Sequence, residues 1–160
     1  MIGILAVTLS WIISTAAIAQ VIGDDAEMER LRAKAEEAIE NGDSDGAAMN
    51  MGKAALMAVQ LAKKPENSSQ AQWYRGAESL FRAQEQAYRA QALFERAGGQ
   101  TPASSGVCGS MRLAKQHLDK SLSLLVDAAT SADHRSKQLQ ATAVGWGKTL
   151  EGLNADFQCQ

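Results

Sequence analysis

The chain has 160 residues, of which 46% are apolar and 5% aromatic, with 16 Lys and Arg against 18 Asp and Glu for a formal charge of −2. That length allows one domain or two small ones, and the apolar share excludes wholesale disorder. The near-neutral balance gives no reason to expect nucleic acid as a partner, and two Pro with few β-branched residues after position 22 argue against a β-sandwich or barrel.

Residues 1–23 carry no charged side chain, and an apolar run extends from Ile2 to Ile13. Small residues follow, ending in Ala17-Ile18-Ala19, an A-x-A pattern that suits cleavage before Gln20. We therefore read residues 1–19 as a signal peptide. The alternative is an uncleaved anchor over residues 1–23, which is just long enough to span a bilayer. Either reading places residues 20–160 outside the cytoplasm, in the periplasm or secreted, with membrane contact only through residues 1–23 if they are retained.

The rest of the chain reads as a single α-helical domain, 20–160. A first helix is expected from about Asp25 to Ile39. Asp24 stands as its N-cap with Glu27 three residues on, and Met28, Leu31, Ala35 and Ala38 form its apolar stripe. Asn41-Gly42 has the composition of a left-handed C-cap. A second helix is expected from Gly46 to Lys64, stopped by Pro65. Asn67-Ser68-Ser69 matches a glycosylation sequon, a pattern short enough to arise by chance.

A third helix, from Ser69 to Ala97, has the clearest signature. Trp73, Leu80, Ala87 and Phe94 recur every seven residues, as do Tyr74, Phe81 and Tyr88. At 100° per residue these rows flank one face, and a sustained heptad implies a supercoiled partner helix. Arg75, Arg82, Arg89 and Arg96 form a third row on the other side, interleaved with Glu78 and Glu85. A Gly- and Ser-rich loop, 98–106, separates two halves of the domain.

Beyond it, one apolar stripe runs from Met111 to Ala129 and a second from Leu139 to Phe157. One long helix or a hairpin turning near Ser131 would fit the pattern. The cysteines favour the hairpin. A single helix would hold Cys108 and Cys159 about 75 Å apart, whereas a disulfide needs Cα atoms within roughly 7 Å. Two cysteines in an exported chain point to a bridge. Ser131 or Asp133 would cap the last helix.

Chemistry-bearing motifs are few. Asn41, Asp43 and Asp45, with Gly46, copy the first half of a calcium-binding loop, but Gly52 stands where that loop needs a bidentate Glu. A helix-capping turn, with Asp45 capping the second helix, explains the same residues. His117 and His134, the only imidazoles, lack metal-ligand spacing. No nucleophile elbow or phosphate-cradling Gly loop occurs, so the chain is read as non-enzymatic and without a cofactor. Arg89 and Arg96, where the Glu ladder runs out, and Trp146 are the candidate partner surface. Gln84 and Gln91 interrupt the aromatic face and are expected to fix register against a neighbouring helix. Ala141, Gly145, Thr149 and Gly152 form a small-residue stripe, which predicts a close helix approach or a kink.

The expected fold is all-α: an antiparallel bundle of four to five helices in coiled-coil-like hairpins. The expected function is protein–protein interaction or scaffolding in the cell envelope, as an accessory subunit of a secretion or envelope assembly, with another envelope protein or a second copy as partner. The alternative is a ligand- or metal-binding bundle, motivated by the loop at Asn41–Gly46 and by Met28, Met49, Met51 and Met57.

Overall fold

The computed structural model describes residues 9–64, 68–126 and 133–159. Residues 1–8 of the export segment, Pro65, Asn67 of the sequon and Ser131 of the expected turn lie outside the described residues. Among the described residues the chain forms five helices: α1 (Leu9–Glu40), α2 (Ser44–Leu61), α3 (Ser68–Arg96), α4 (Ser105–Leu124) and α5 (His134–Asp156). They pack as a helical bundle, with α1, α3 and α5 running one way and α2 and α4 the other.

The first helix differs from expectation. It does not start at Asp24 but runs unbroken through that position from Leu9. Nothing between Leu9 and Gly23 breaks a helix, so the Asp24/Glu27 pair falls in a helix interior and never acts as a capping box. Asp24 instead lies 4.0 Å from Lys64 at the end of α2, and Glu27 pairs with Arg30 at 2.5 Å.

Gly42 closes α1 as expected. It adopts φ 77°, with Gly42 N–H donating to the Ile39 carbonyl and Asp43 N–H to the Ala38 carbonyl, a Schellman turn. Gly98 closes α3 in the same way, with bonds to Glu95 and Phe94. At the end of α5 the left-handed position is filled by Gln158 at φ 52°, and the turn brings Cys159 N–H onto the Asn154 carbonyl. That turn aims Cys159 back at α4.

The helix α3 is the centre of the bundle. Trp73, Tyr74, Leu80, Phe81 and Tyr88 are buried, and so are Ala77, Ala83, Ala87 and Ala90 between them. Its neighbour α2 presents Ala47, Ala54, Ala55 and Ala58, all without exposure. Short side chains let helix axes approach at the near end of the usual range, about 8 Å. Against α4 the approach is tightest at Gly76. A Cβ there would stand 2.7 Å from a methyl of Leu125, and the Ser121 hydroxyl donates to the Gly76 carbonyl at 2.8 Å.

The last two helices form the hairpin that the cysteines imply. Cys108 and Cys159 are bridged, with Cα atoms 5.3 Å apart. Ser104 caps α4 and Asp133 caps α5, the latter accepting from the Arg135 and Ser136 N–H groups. The expected close approach along the small stripe of α5 is absent. No described atom lies within 4 Å of a Cβ built at Gly145, Gly147 or Gly152, and α5 stays one helix through all three. The stripe faces outward because Leu139, Ala143 and Leu150, on another face, take the burial.

Two contrasts test this packing. Gly76→Ala should destabilise by about 1–3 kcal/mol through overpacking against Leu125, whereas Gly145→Ala should stabilise by up to about 1 kcal/mol through helix propensity alone. Urea unfolding of both variants checks the sign of each. Reducing the bridge, which spans a sequence separation of 51, should remove about 4 kcal/mol on the chain-entropy model, read from the unfolding midpoint with and without reductant.

Candidate functional site

Two concave features flank α5. The first is a gutter of about 390 Å³ between α1, α3 and α5. Its floor is the aromatic face of α3, with Leu80 and Phe81 joined by Leu139 from α5. Residues one or two turns apart on each wall reach into it: Asp25, Glu29 and Arg32 from α1, and Arg135, Gln138 and Thr142 from α5.

Arg135 organises one end. Its guanidinium donates to both oxygens of Asp25, at 2.7 and 2.9 Å, and lies 3.6 Å from Glu29. The same group sits 3.6 Å above the Trp73 ring, a cation–π contact. The Tyr74 hydroxyl donates to Asp25 at 3.1 Å. Burial, then the neighbouring Asp25 carboxylate, holds the Tyr74 hydroxyl above the usual tyrosine pKa. Arg32 pairs with Glu29 at 2.8 Å and with Glu36. At the far end Trp146 meets Tyr88 edge to face, ring centroids 5.6 Å apart.

Two of the lining residues each bury a side-chain atom without a hydrogen-bond partner, the indole Nε1 of Trp73 and the carbonyl Oε1 of Gln84, both closed off from solvent. Such atoms are uncommon in folded chains because each forfeits its hydration.

The second feature is a groove of about 550 Å³ between α4 and α5, beside the disulfide. Met111, Leu118, Leu122 and Leu150 give it an apolar lining, and Arg112, Lys115, Asp119 and Glu151 contribute charged groups.

The residues singled out from sequence are dispersed. Asp43, not Asp45, caps α2, its carboxylate accepting from the Gly46 N–H at 2.8 Å. Asp45 turns away to pair with Arg96 at 2.7 Å, and Asn41 is exposed. Gly52 is not a vacant ligand position either: a Cβ there would lie 3.1 Å from the carboxylate carbon of Glu85, so α3 occupies that space. Among the described residues no group of three or more His, Cys, Asp or Glu could hold a metal ion.

Arg89 and Arg96 are not left over from the ladder. Arg89 bonds Glu85 at 2.9 Å, and Arg96 reaches Asp45 across to α2. The sequence rows hid the second pairing because the partners are separated by 51 positions. Trp146 spends one side on Tyr88 rather than standing free. Gln91 donates to Glu95 on its own helix, and the same Glu95 oxygen accepts from the Ser44 hydroxyl of α2, so its link to a neighbouring helix runs through Glu95 rather than being direct. Arg135 and Asp25 were missed altogether. Neither belongs to a motif, and only the meeting of α1 with α5 joins them.

Comparison with protein-family models, with curated proteins and with solved structures finds no match for this chain.

Tyr88 gives the gutter end a pH signature. Burial and then the nearby Glu36 carboxylate push its hydroxyl up to about 12. An acid whose folded pKa is raised is stabilising in its neutral form. That contribution is full below the unfolded value near 10 and is lost as pH rises toward 12, about 2–3 kcal/mol in all. Urea unfolding stepped from pH 9 to 12 should show the decline, and Tyr88→Phe should flatten it. Tyrosinate absorbance should place the Tyr88 ionisation at the top of the range.

Proposed function

We propose that this chain is an exported, non-catalytic helical protein that acts by protein–protein contact, as an accessory subunit of a cell-envelope or secretion assembly. The observation that carries the reading is the Cys108–Cys159 bridge. Bridges of this kind persist in oxidising compartments and are rare where glutathione keeps thiols reduced. The uncharged run 1–23 with its A-x-A end is consistent with a route to such a compartment.

The groove between α4 and α5 fits the second half of the reading. Its apolar lining and charged groups of both signs have the makeup of a protein-binding surface.

Alkylating the native protein before lysis tests the compartment. The expected result is no alkylated cysteine and a chain beginning at Gln20 in the periplasmic or extracellular fraction. Two alkylated cysteines in the cytoplasmic fraction would overturn it. Mild crosslinking in native envelopes tests the interaction. One stoichiometric partner should be recovered, and Gly147→Arg should abolish its recovery. That substitution fills the groove from a position whose Cβ meets nothing within 4 Å, so the fold is retained. Recovery of a bare monomer from the unaltered protein would refute the interaction.

A further inference from the structure

The turn between α1 and α2 closes on a pair with a chemistry of its own, Asn41-Gly42. Asparagine stands at positions 41, 50, 67 and 154, and only Asn41 precedes a glycine. Asn41 and Gly42 are both exposed, and a Cβ built at Gly42 would meet nothing within 4 Å. The side-chain amide of Asn50 is held on the Gly46 carbonyl at 3.0 Å, and that of Asn154 on the Cys159 carbonyl at 3.1 Å. The side-chain amide of Asn41 bonds no described group.

An asparagine amide beside a glycine is open to attack by the glycine's own main-chain nitrogen, since no Cβ hinders the approach. That nitrogen gives its proton to hydroxide and bonds to Asn41 Cγ. The Cγ–Nδ2 bond breaks, and Nδ2 takes a proton from water and leaves as ammonia. Water then opens the resulting five-membered succinimide at one of its two carbonyls. Opening at Cγ gives aspartate. Opening at the main-chain carbonyl breaks the original Asn41–Gly42 bond and gives isoaspartate, in which the chain runs through Cβ and Cγ. The sum is one water consumed and one ammonia released, with no oxidant or reductant.

The fold restrains the first step. The Gly42 N–H donates to the Ile39 carbonyl at 3.0 Å, and the Asp43 N–H to the Ala38 carbonyl at 2.8 Å. A nitrogen whose proton is held by a carbonyl does not attack until that bond opens. We propose that Asn41 is a site of spontaneous deamidation, gated by opening of the Schellman turn that ends α1. Helix ends open at far lower cost than the whole fold, so the reaction proceeds in the folded protein, more slowly than in an unfolded chain. The product does not restore the turn. Isoaspartate adds a main-chain carbon between the two carbonyls and the two N–H groups, which the spacing of a Schellman turn does not accommodate. Its new carboxylate also stands at the negative end of the α1 dipole, next to Glu40 and one turn from Glu37. Asp43, which caps α2 through the Gly46 N–H, follows directly, so the change reaches the start of α2. Conversion is one-way and loosens the joint between α1 and α2 as the protein ages. It requires neither export nor a partner.

The test holds the full chain, folded and with its bridge intact, at pH 8.5 and 37 °C for several weeks, beside the same chain reduced in concentrated urea. The folded sample should yield a product about one dalton heavier, since an acid replaces an amide. Peptide mass analysis should place the change at residue 41. The product should accept a methyl group from S-adenosylmethionine through an isoaspartyl methyltransferase, which neither Asn nor ordinary Asp does. It should form at least tenfold more slowly than in urea, and faster as pH rises from 7 to 9, because the Gly42 nitrogen must lose its proton. Asn41→Gln, whose ring would need six members, should abolish it. The isoaspartyl form should melt below both the unmodified protein and Asn41→Asp, which carries the same charge on an ordinary main chain. A residue 41 that stays intact in the folded chain overturns the proposal, whatever happens in urea. So does earlier conversion at Asn50, Asn67 or Asn154. Equal rates in the folded and urea samples overturn the gating by the turn, and an isoaspartyl form that melts with Asn41→Asp overturns the loosened joint.

Discussion

The close contact of α2 and α4 with two sides of α3 sets the rest of the bundle. It is made by removing bulk. Gly52 on α2 leaves room for the Glu85 carboxylate of α3, among the buried Ala47, Ala54, Ala55 and Ala58 of α2, and α3 itself buries Ala83, Ala87 and Ala90 on the side of Gly76. Gly76 goes furthest, since even one methyl would strike Leu125. Near approach exposes backbone to the neighbour, and the Ser121 hydroxyl uses that to bond the Gly76 carbonyl across the interface. Small residues bury little area each, so α3 supplies the large side chains itself. Tyr74, Phe81, Leu80 and Trp73 fill the spaces that the alanines leave.

The outer helices inherit what remains. Along α5 only Leu139, Ala143 and Leu150 are buried, and a buried Leu contributes on the order of 1.5–3 kcal/mol. A helix of that length needs more than these to hold its place. The supplement stands at its two ends. At the start, Arg135 ties it to Asp25 and rests on Trp73. At the finish, Phe157 packs on Phe94 at 4.6 Å, its carbonyl accepts from Ala103 N–H, and Cys159 is bonded to Cys108. The disulfide thus compensates for thin burial, as two cysteines in an Ala-rich chain suggest.

Where periodicity or covalent geometry governed the outcome, it was legible. The heptad rows of Trp73 and Tyr74 delimited α3 within a residue at either end, and the reach of a disulfide separated hairpin from single helix. Local capping chemistry was less decisive. Asp24 with Glu27 has the form of a capping box but lies inside a helix, because nothing before it stops the helix from starting earlier. Asp43 and Asp45 are near-equivalent caps by composition, and Asp43 acts because the helix starts at Ser44, which leaves Asp45 inside the first turn and paired with Arg96. The gutter was not legible. Gln84 stood out as a polar break in an apolar face. Its meaning depends on α1 and α5 flanking α3 without filling the space above it, and no single segment encodes that.

The same arrangement decides how firmly the gutter keeps its shape. Apolar packing does not fix its width, because α1 and α5 face each other across it through long polar side chains. The Asp25–Arg135 pair spans the gap at one end, and Trp146 on Tyr88 fixes α5 at the other. Charge-assisted pairs of this kind are directional, so they set a distance as well as an attraction. The disulfide beyond Trp146 prevents the C-terminal end of α5 from leaving. A cleft held in this way is preorganised at little cost in buried area. The Arg135 group that spans the gap to Asp25 also covers the Trp73 ring, so one side chain both joins α5 to α1 and shields the aromatic floor.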